Sequence, residues 1–257
     1  MKISRKDFLR LSGLSLLAVV GKKAIGALAG KGAQSAAALP AVRVTTRWAM
    51  VIDPAKCLKE EGCTKCISAC HKAHNVPTIN DPRHEVKWIW KEPFENAFAS
   101  QESAYTEAAL QGKPVMVFCN HCDNPPCVRV CPTQATWKRE DGIVMMDWHR
   151  CIGCRYCMAA CPYGSRSFNW FDPRPYISEL NPDYPTRTKG VVEKCTFCEE
   201  RLAKGQAPLC VEACPEKALV FGNLADPKSE VRRLLDARFS IRRKPELGTH
   251  PEVFYLV

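Results

Sequence analysis

The sequence predicts an α+β unit with an internal repeat and much irregular structure. Two observations carry that expectation. All sixteen cysteines of the 257-residue chain fall into four groups of four, with none left over. A short apolar run precedes each group, as a strand delivering the chain to a loop would. The groups are Cys57, Cys63, Cys66, Cys70; Cys119, Cys122, Cys127, Cys131; Cys151, Cys154, Cys157, Cys161; and Cys195, Cys198, Cys210, Cys214. The runs are Arg47–Asp53, Lys113–Cys119, Gly142–Asp147 and Gly190–Lys194. Thr136–Arg139 and Ile143–Asp147 flank Glu140-Asp141-Gly142, a tight-turn signal, and are expected to form a hairpin. Helical turns are expected at Cys127–Val130 and Cys157–Ala160.

Spacing says what the cysteines hold. The third group reads Cys151-x2-Cys154-x2-Cys157-x3-Cys161-Pro162, the bacterial ferredoxin run. In that run three thiolates grip one iron–sulfur cube and the fourth reaches a neighbouring one. Four thiolates serve one [4Fe–4S] cluster, so sixteen is the count for four clusters. Groups two and four keep the ending at Cys127–Pro132 and Cys210–Pro215, while group one has His71 in place of the proline. The loops differ, with five residues after Cys57, four after Cys122 and eleven after Cys198, a variation that loop-closure entropy tolerates. Disulfides would not need four copies of one spacing. A zinc-binding structural protein is the alternative of another class, although zinc sites join two Cys-x2-Cys knuckles rather than a run of three plus one. No Cys-x2-Cys-His occurs, so no ordinary c-haem attachment is expected.

The first 38 residues are expected to be an export signal. Ser4-Arg5-Lys6-Asp7-Phe8-Leu9 resembles a twin-arginine motif with lysine in the second place; Leu11–Val20 is apolar, and Ala36-x-Ala38 offers a cleavage site. Export of a folded chain suits clusters inserted before crossing. Beyond this segment no stretch is long and apolar enough to span a bilayer. The formal charge of +10 misleads: seven cations against one acid put +6 in the first 38 residues, leaving +4. Four oxidised cubes at about −2 each turn the holoprotein negative, which weakens a nucleic-acid reading. The remaining 219 residues form one unit, 39–257.

Between His71 and Gly112 there is no cysteine but Trp88, Trp90, Phe94 and Phe98, which suit a cover over cluster-binding loops or a docking surface. Asn169–Lys189, with four prolines, is an irregular loop; Ser229–Arg238 is a basic helix; and the tail Phe239–Val257 is expected to run extended over the surface.

With these motifs in place the chain resembles the four-cluster iron–sulfur subunits of the molybdopterin-oxidoreductase and NrfD-linked families. The resemblance rests on Gly62–Cys70, Cys119–Cys127, Arg139–Val144, Cys151–Gly164 and Lys194–Cys198, and covers about residues 47 to 225. Within that family it is most similar to the DsrO type of the DsrMKJOP membrane complexes, through Arg47–Asp53, His74–Pro77 and Val86–Phe94. The family implies a tandem bacterial-ferredoxin-like polyferredoxin with two pseudo-symmetric two-cluster lobes. Lobe one is about 47–72 plus 190–225, lobe two about 113–168, with an insertion at 73–112 and a C-terminal helix and tail at 226–257. It implies four sets of ligands: Cys57, Cys63, Cys66 with Cys214; Cys195, Cys198, Cys210 with Cys70; Cys119, Cys122, Cys127 with Cys161; Cys151, Cys154, Cys157 with Cys131. The five-residue loop after Cys57 departs from the usual two, so the Cys57 cluster is the one most open to alteration.

The resemblance further implies a periplasmic electron-transfer subunit with no catalytic residues of its own, on the outer face of the cytoplasmic membrane. It would be held there by partners or an uncleaved N-terminus. Its partners would be an NrfD-like, DsrP-like quinone-interacting membrane subunit, a DsrJ-like multihaem cytochrome c, and DsrM-like and DsrK-like subunits. The alternative is the iron–sulfur subunit of a periplasmic molybdopterin oxidoreductase. Lys65, Arg129, Arg155 and Lys194 flank cluster loops and could raise potentials or simply be solvated. His121 could donate to a sulfide or merely pack. Trp48, Trp137, Trp148 and Trp170 lie near the motifs and would exclude water.

Overall fold

The computed structural model describes residues 46–101 and 110–257; the expected export segment lies outside the described residues. Its strands in chain order are β1 (Trp48–Ile52), β2 (Ile89–Pro93), β3 (Pro114–Phe118), β4 (Thr136–Lys138), β5 (Val144–Met146), β6 (Ser167–Phe168), β7 (Val192–Glu193), β8 (Leu219–Asn223), β9 (Ser240–Ile241) and β10 (Val253–Leu256). They make one four-stranded sheet, β8-β1-β10-β9, and three two-stranded ones. The helices are short and much of the chain is irregular, so the architecture is α+β.

β1 lies where the first apolar run placed it, with Ala49–Ile52 all buried. Such a run of unbroken apolar residues suits a strand covered on both faces. Asp53 ends it: its side chain accepts a hydrogen bond from Lys56 N at 3.2 Å, and Pro54 opens the helical turn Pro54–Cys57. β4 and β5 pair as the expected hairpin, Thr136 opposite Met146, and Gly142 takes the positive φ of the turn.

The tail is where the structure corrects the sequence reading. Its first part keeps to the surface, with Phe239 75% and Leu247 50% exposed and a helical turn at Pro245–Leu247, but its end does not. Val253–Leu256 are buried inside the main sheet, parallel to β1 with Met50 opposite Val253 and Ile52 opposite Tyr255. Burying Val, Phe, Tyr and Leu is worth about 1.5–3 kcal/mol each, enough to draw the tail inward. The helix Glu230–Ala237, capped by Ser229 Oγ on Arg232 N at 3.2 Å, lays Val231, Leu234 and Leu235 on Ala49, Val51, Phe254 and Leu256.

The cysteine-free insertion supplies core. β2 pairs antiparallel with β3, and Trp88, Phe94 and Phe98 are buried in the cluster that also holds Cys66, Cys70 and Cys210. The irregular loop 169–189 is anchored by one ion pair with no solvent access. Arg187 Nη2 lies 2.6 Å from Glu193 Oε2, both side chains are 0% exposed, and the guanidinium sits between Trp88 and Trp148 at 5.4 and 5.5 Å. Trp88 Nε1 donates to the same carboxylate at 2.8 Å. No helix among the described residues is long and apolar enough to cross a membrane.

Candidate metal centres

The cysteine loops share a backbone device. The residue before the second cysteine of the first Cys-x-x-Cys pair in groups two, three and four has a left-handed φ: His121 (41°), Gly153 (69°) and Phe197 (57°). That conformation turns both sulfurs to the same side of the loop. It costs a side-chain-bearing residue roughly 1–3 kcal/mol, which the surroundings must offset. At Gly153 no side chain fits, because a Cβ would meet Gly190 O at 2.4 Å. At the other two positions the rings stabilise each other: His121 and Phe197 stack with centroids 3.7 Å apart and planes 18° apart.

Two small spaces of similar size are lined by sulfur. Cys70, Cys195, Cys198 and Cys210 line one; Cys119, Cys122, Cys127 and Cys161 line the other. Burial pushes the Cys122 thiol up and Cys119 adds to it; burial pushes Cys210 up, with Cys70, Cys198 and Cys195 adding. Burial also raises Cys66 to about 12, with contributions from Cys57 and Cys214. Thiols that disfavour one another's ionisation become thiolates together only around cations. Asn120 lines the second cavity with both amide atoms buried and no protein partner among the described residues. A buried donor therefore faces sulfur-lined space, as cluster sulfides require. All sixteen thiols are free of disulfides.

The sulfurs also feel each other across groups. Cys66 adds to the rise at Cys210, Cys119 to that at Cys195, and Cys127 to that at Cys157, each after burial. The outer sets are the more open. Of Cys57, Cys63, Cys66 and Cys214 only Cys66 is buried, and of Cys151, Cys154, Cys157 and Cys131 only Cys157.

The charged residues divide by burial. Lys65 is exposed and paired with Glu60 at 2.8 Å; Arg129 is exposed and donates to Asn124 Oδ1 at 3.2 Å; Arg155 lies over Phe168 and Trp170 at 5.2 and 4.8 Å. Lys194 differs: it is fully buried and its Nζ donates to Val144 O and Cys195 O. His121 is buried, accepts from Val144 N at 3.1 Å, and is held neutral by burial first and then by Lys194 and Arg166. It packs, as one of the two sequence readings has it. Trp48 stacks on Phe221 and Trp148 packs against the small core that holds Cys127 and Cys157, but Trp137 and Trp170 are 38% and 39% exposed and seal little.

Two residues at the cavities carry no signal in the spacing. Arg166 is 4% exposed; its Nη2 donates to Cys127 Sγ at 3.1 Å and its Nη1 to Thr136 Oγ1 at 3.0 Å. His74, Cys198 and Glu200 form a compact set beside the other cavity. There His74 Nδ1 is 2.7 Å from Cys70 O and Nε2 is 3.1 Å from Glu200 Oε1. Burial opposes its charge, but bonds to Cys198, Cys70 and Glu200 prevail and hold it protonated.

Comparison with known proteins agrees with this chemistry. The family described as 4Fe-4S dicluster domain matches residues 114–173 and 179–224, which contain groups two, three and four. The Hdr-like menaquinol oxidoreductase iron–sulfur subunit 1 of Archaeoglobus fulgidus is 41% identical over 98% of this chain and 97% of its own. The menaquinone reductase iron–sulfur cluster-binding subunit of Nitratidesulfovibrio vulgaris is 39% identical over 82% of this chain and 88% of its own. A polysulfide reductase component of Wolinella succinogenes is 34% identical over 81% of this chain and 93% of its own. The cofactor is thus iron–sulfur, four [4Fe–4S] clusters, and the zinc alternative falls.

Proposed function

This protein belongs to the iron–sulfur subunits of the molybdopterin-oxidoreductase and NrfD-linked family, built on the 4Fe–4S dicluster domain, and from that membership we propose that it conducts electrons between a quinone-interacting membrane subunit and a multihaem cytochrome c in a DsrMKJOP-like complex of sulfur metabolism. The sites are Cys57, Cys63, Cys66 with Cys214; Cys195, Cys198, Cys210 with Cys70; Cys119, Cys122, Cys127 with Cys161; and Cys151, Cys154, Cys157 with Cys131. The single observation that carries the reading is the gradient of burial: the two sets that line the sulfur cavities each have three buried cysteines, and the other two sets have one each. A carrier needs such a plan, with insulated centres in the middle and accessible ones at the ends.

When bound, each cluster supplies one-electron exchange. The protein's own groups do the rest. Met50, Trp88, Ile89 and Phe118 wall the Cys195 cavity against water, and Pro125, Pro126, Val144 and Tyr163 wall the Cys119 cavity. The place of action is the outer face of the cytoplasmic membrane, after export of the folded chain.

Purifying the complex from its native membrane tests the partners. Co-purifying c-type haem supports the reading, and molybdenum in its place transfers the protein to a molybdopterin oxidoreductase. Export is tested separately: Arg5→Gln should leave the protein in the cytoplasmic fraction, and unchanged export removes the twin-arginine route.

A further inference from the structure

The two inner cavities are alike in size and unlike in charge. Beside Cys70, Cys195, Cys198 and Cys210 stands His74 with a carboxylate, Glu200, at 3.1 Å. Beside Cys119, Cys122, Cys127 and Cys161 stand two cations, Arg166 and Lys194, neither with a carboxylate within 4 Å among the described residues. The other buried arginines do have one: Arg187 has Glu193 at 2.6 Å and Arg243 has Glu92 at 3.5 Å. Arg166 spends its Nη atoms on Thr136 Oγ1, Met146 Sδ and Cys127 Sγ, and its Nε has no partner. Lys194 spends its ammonium on two carbonyls. A buried ion without a counter-charge is strongly disfavoured. Among the described residues the negative charges that act on this pair are those of the sulfurs of Cys119, Cys127, Cys157 and Cys195.

We propose that Arg166 and Lys194 are positioning residues that make the Cys119/Cys122/Cys127/Cys161 centre the more easily reduced of the two inner ones, so that an electron in transit rests there. The inference rests on the ligand grouping given above. Its physics is direct. Reduction adds one negative charge to a site already anionic. A fixed cation in a low-dielectric interior stabilises that charge, and a hydrogen bond to a ligand sulfur does the same. Arg166 supplies both effects, and its guanidinium stays charged at any working pH. It also acts on Cys157 of the third group, and Lys194 Nζ donates to Cys195 O of the fourth at 2.8 Å. Each therefore stands at a junction between this centre and one neighbour, and their effects coincide only on the centre between them. Beside the other inner centre the basic side chain His74 has a carboxylate, Glu200, at 3.1 Å, so no cation lacking a counter-charge stands there among the described residues.

The test is an EPR-monitored redox titration of the full-length holoprotein, with iron and sulfide counted in the same samples. Arg166→Gln and Lys194→Met should each lower the equilibrium constant for reducing one and the same centre by about tenfold, about 59 mV for one electron. Combining them should lower it further. Arg166→Lys keeps the charge and should retain most of the wild-type potential. Arg129→Gln, which removes an exposed cation near the same loop, should move it by less than threefold. If Arg166→Gln fails to assemble, Lys194→Met and Arg166→Lys decide alone. Full iron loading with unmoved potentials, or shifts spread evenly over all centres, overturns the proposal and leaves the electron-carrier reading standing. Wild-type protein without iron overturns both.

Discussion

The loops Cys119-Asn-His-Cys122 and Cys195-Thr-Phe-Cys198 share one backbone turn and differ in side chains, and Cys198 alone of the two closing cysteines is also left-handed, at 51°. Both place a left-handed residue before the second cysteine, and those residues, His121 and Phe197, stack on each other. Both are preceded by a buried residue, Phe118 in one and Lys194 in the other. Both are followed by an acid, and the two acids pair with consecutive residues of one hairpin, Asp123 with Lys138 and Glu199 with Arg139. The likeness is what presenting sulfurs to a common centre demands. The differences lie where side chains set charge and bracing. Backbone shape and electrical character are therefore specified by separate residues of the same loop.

The braces differ most. The Cys119 loop is strapped by the tail: Asp123 N donates to His250 O at 2.8 Å, Asn124 N to Thr249 O at 3.0 Å, and Glu252 N to Asn120 O at 2.9 Å. The Cys195 loop is approached instead from β7, whose Glu193 is fixed by Arg187 and Trp88. Ending the chain at Gly248 removes both the strap and β10. Four buried side chains at about 1.5–3 kcal/mol each are comparable to the total stability of a typical domain, about 5–15 kcal/mol. The truncated protein should yield no soluble iron-loaded material. Recovery of soluble protein with wild-type iron content and thermal midpoint would show that the tail is dispensable.

The second brace should cost less. Arg187→Leu leaves Glu193 buried and uncompensated, a loss of about 3–5 kcal/mol. Replacing both partners, Arg187→Leu with Glu193→Gln, should recover part of it. Chemical denaturation of the holoprotein reads both. A single variant within 1 kcal/mol of wild type, a value of roughly the size seen for exposed pairs, would mean that this ion pair does not anchor the loop.

The third comparison exchanges the stacked rings. His121→Phe keeps the stack and loses the bond from Val144 N, which should cost about 1–3 kcal/mol for the amide left unpaired. Phe197→Ala empties a fully buried site and should cost about 3–5 kcal/mol. The order of the two losses, read from denaturation midpoints, is the informative quantity. Equal losses would mean that the hydrogen bond and the ring volume matter alike.

How much of this was legible in the sequence follows from how local each feature is. The cysteine groups are local, and so are β1, β3 and the β4–β5 hairpin, since an apolar run and a turn signal lie within a few residues. β10 is not legible because its meaning is not local. Glu252–Val257 is an apolar run like the others, but its partner is β1, some two hundred residues away, and a parallel pairing leaves no turn to announce it. Strand β2 was hidden for the same reason inside a segment singled out only for its aromatics. Arg166 was missed because an arginine five residues past Cys161 looks like Arg129 or Arg155; only burial separates them. Lys194 was singled out by its neighbour Cys195, but nothing in the order of residues distinguished a solvated lysine from a buried one.

The smallest effect concerns the acids that follow each loop. Asp123→Asn should cost less than about 1 kcal/mol, since its carboxylate is well solvated and exposed pairs are weak. Its pH dependence is the sharper measure. The hydrogen bond from Lys138, aided by Arg47, holds the Asp123 carboxyl below its usual range despite some burial. A carboxyl whose folded pKa is depressed contributes stability above its unfolded pKa, about 3.9, and loses it as pH falls through the lower folded value. The gap between wild type and Asp123→Asn should therefore stay flat from about pH 8 to about pH 5 and close only below about pH 4. It should also shrink in high salt, because the pair is open to screening. A gap that closes near neutral pH instead would assign the effect to another titrating group, and with it the claim that this loop is tied to the hairpin through Lys138 would fail.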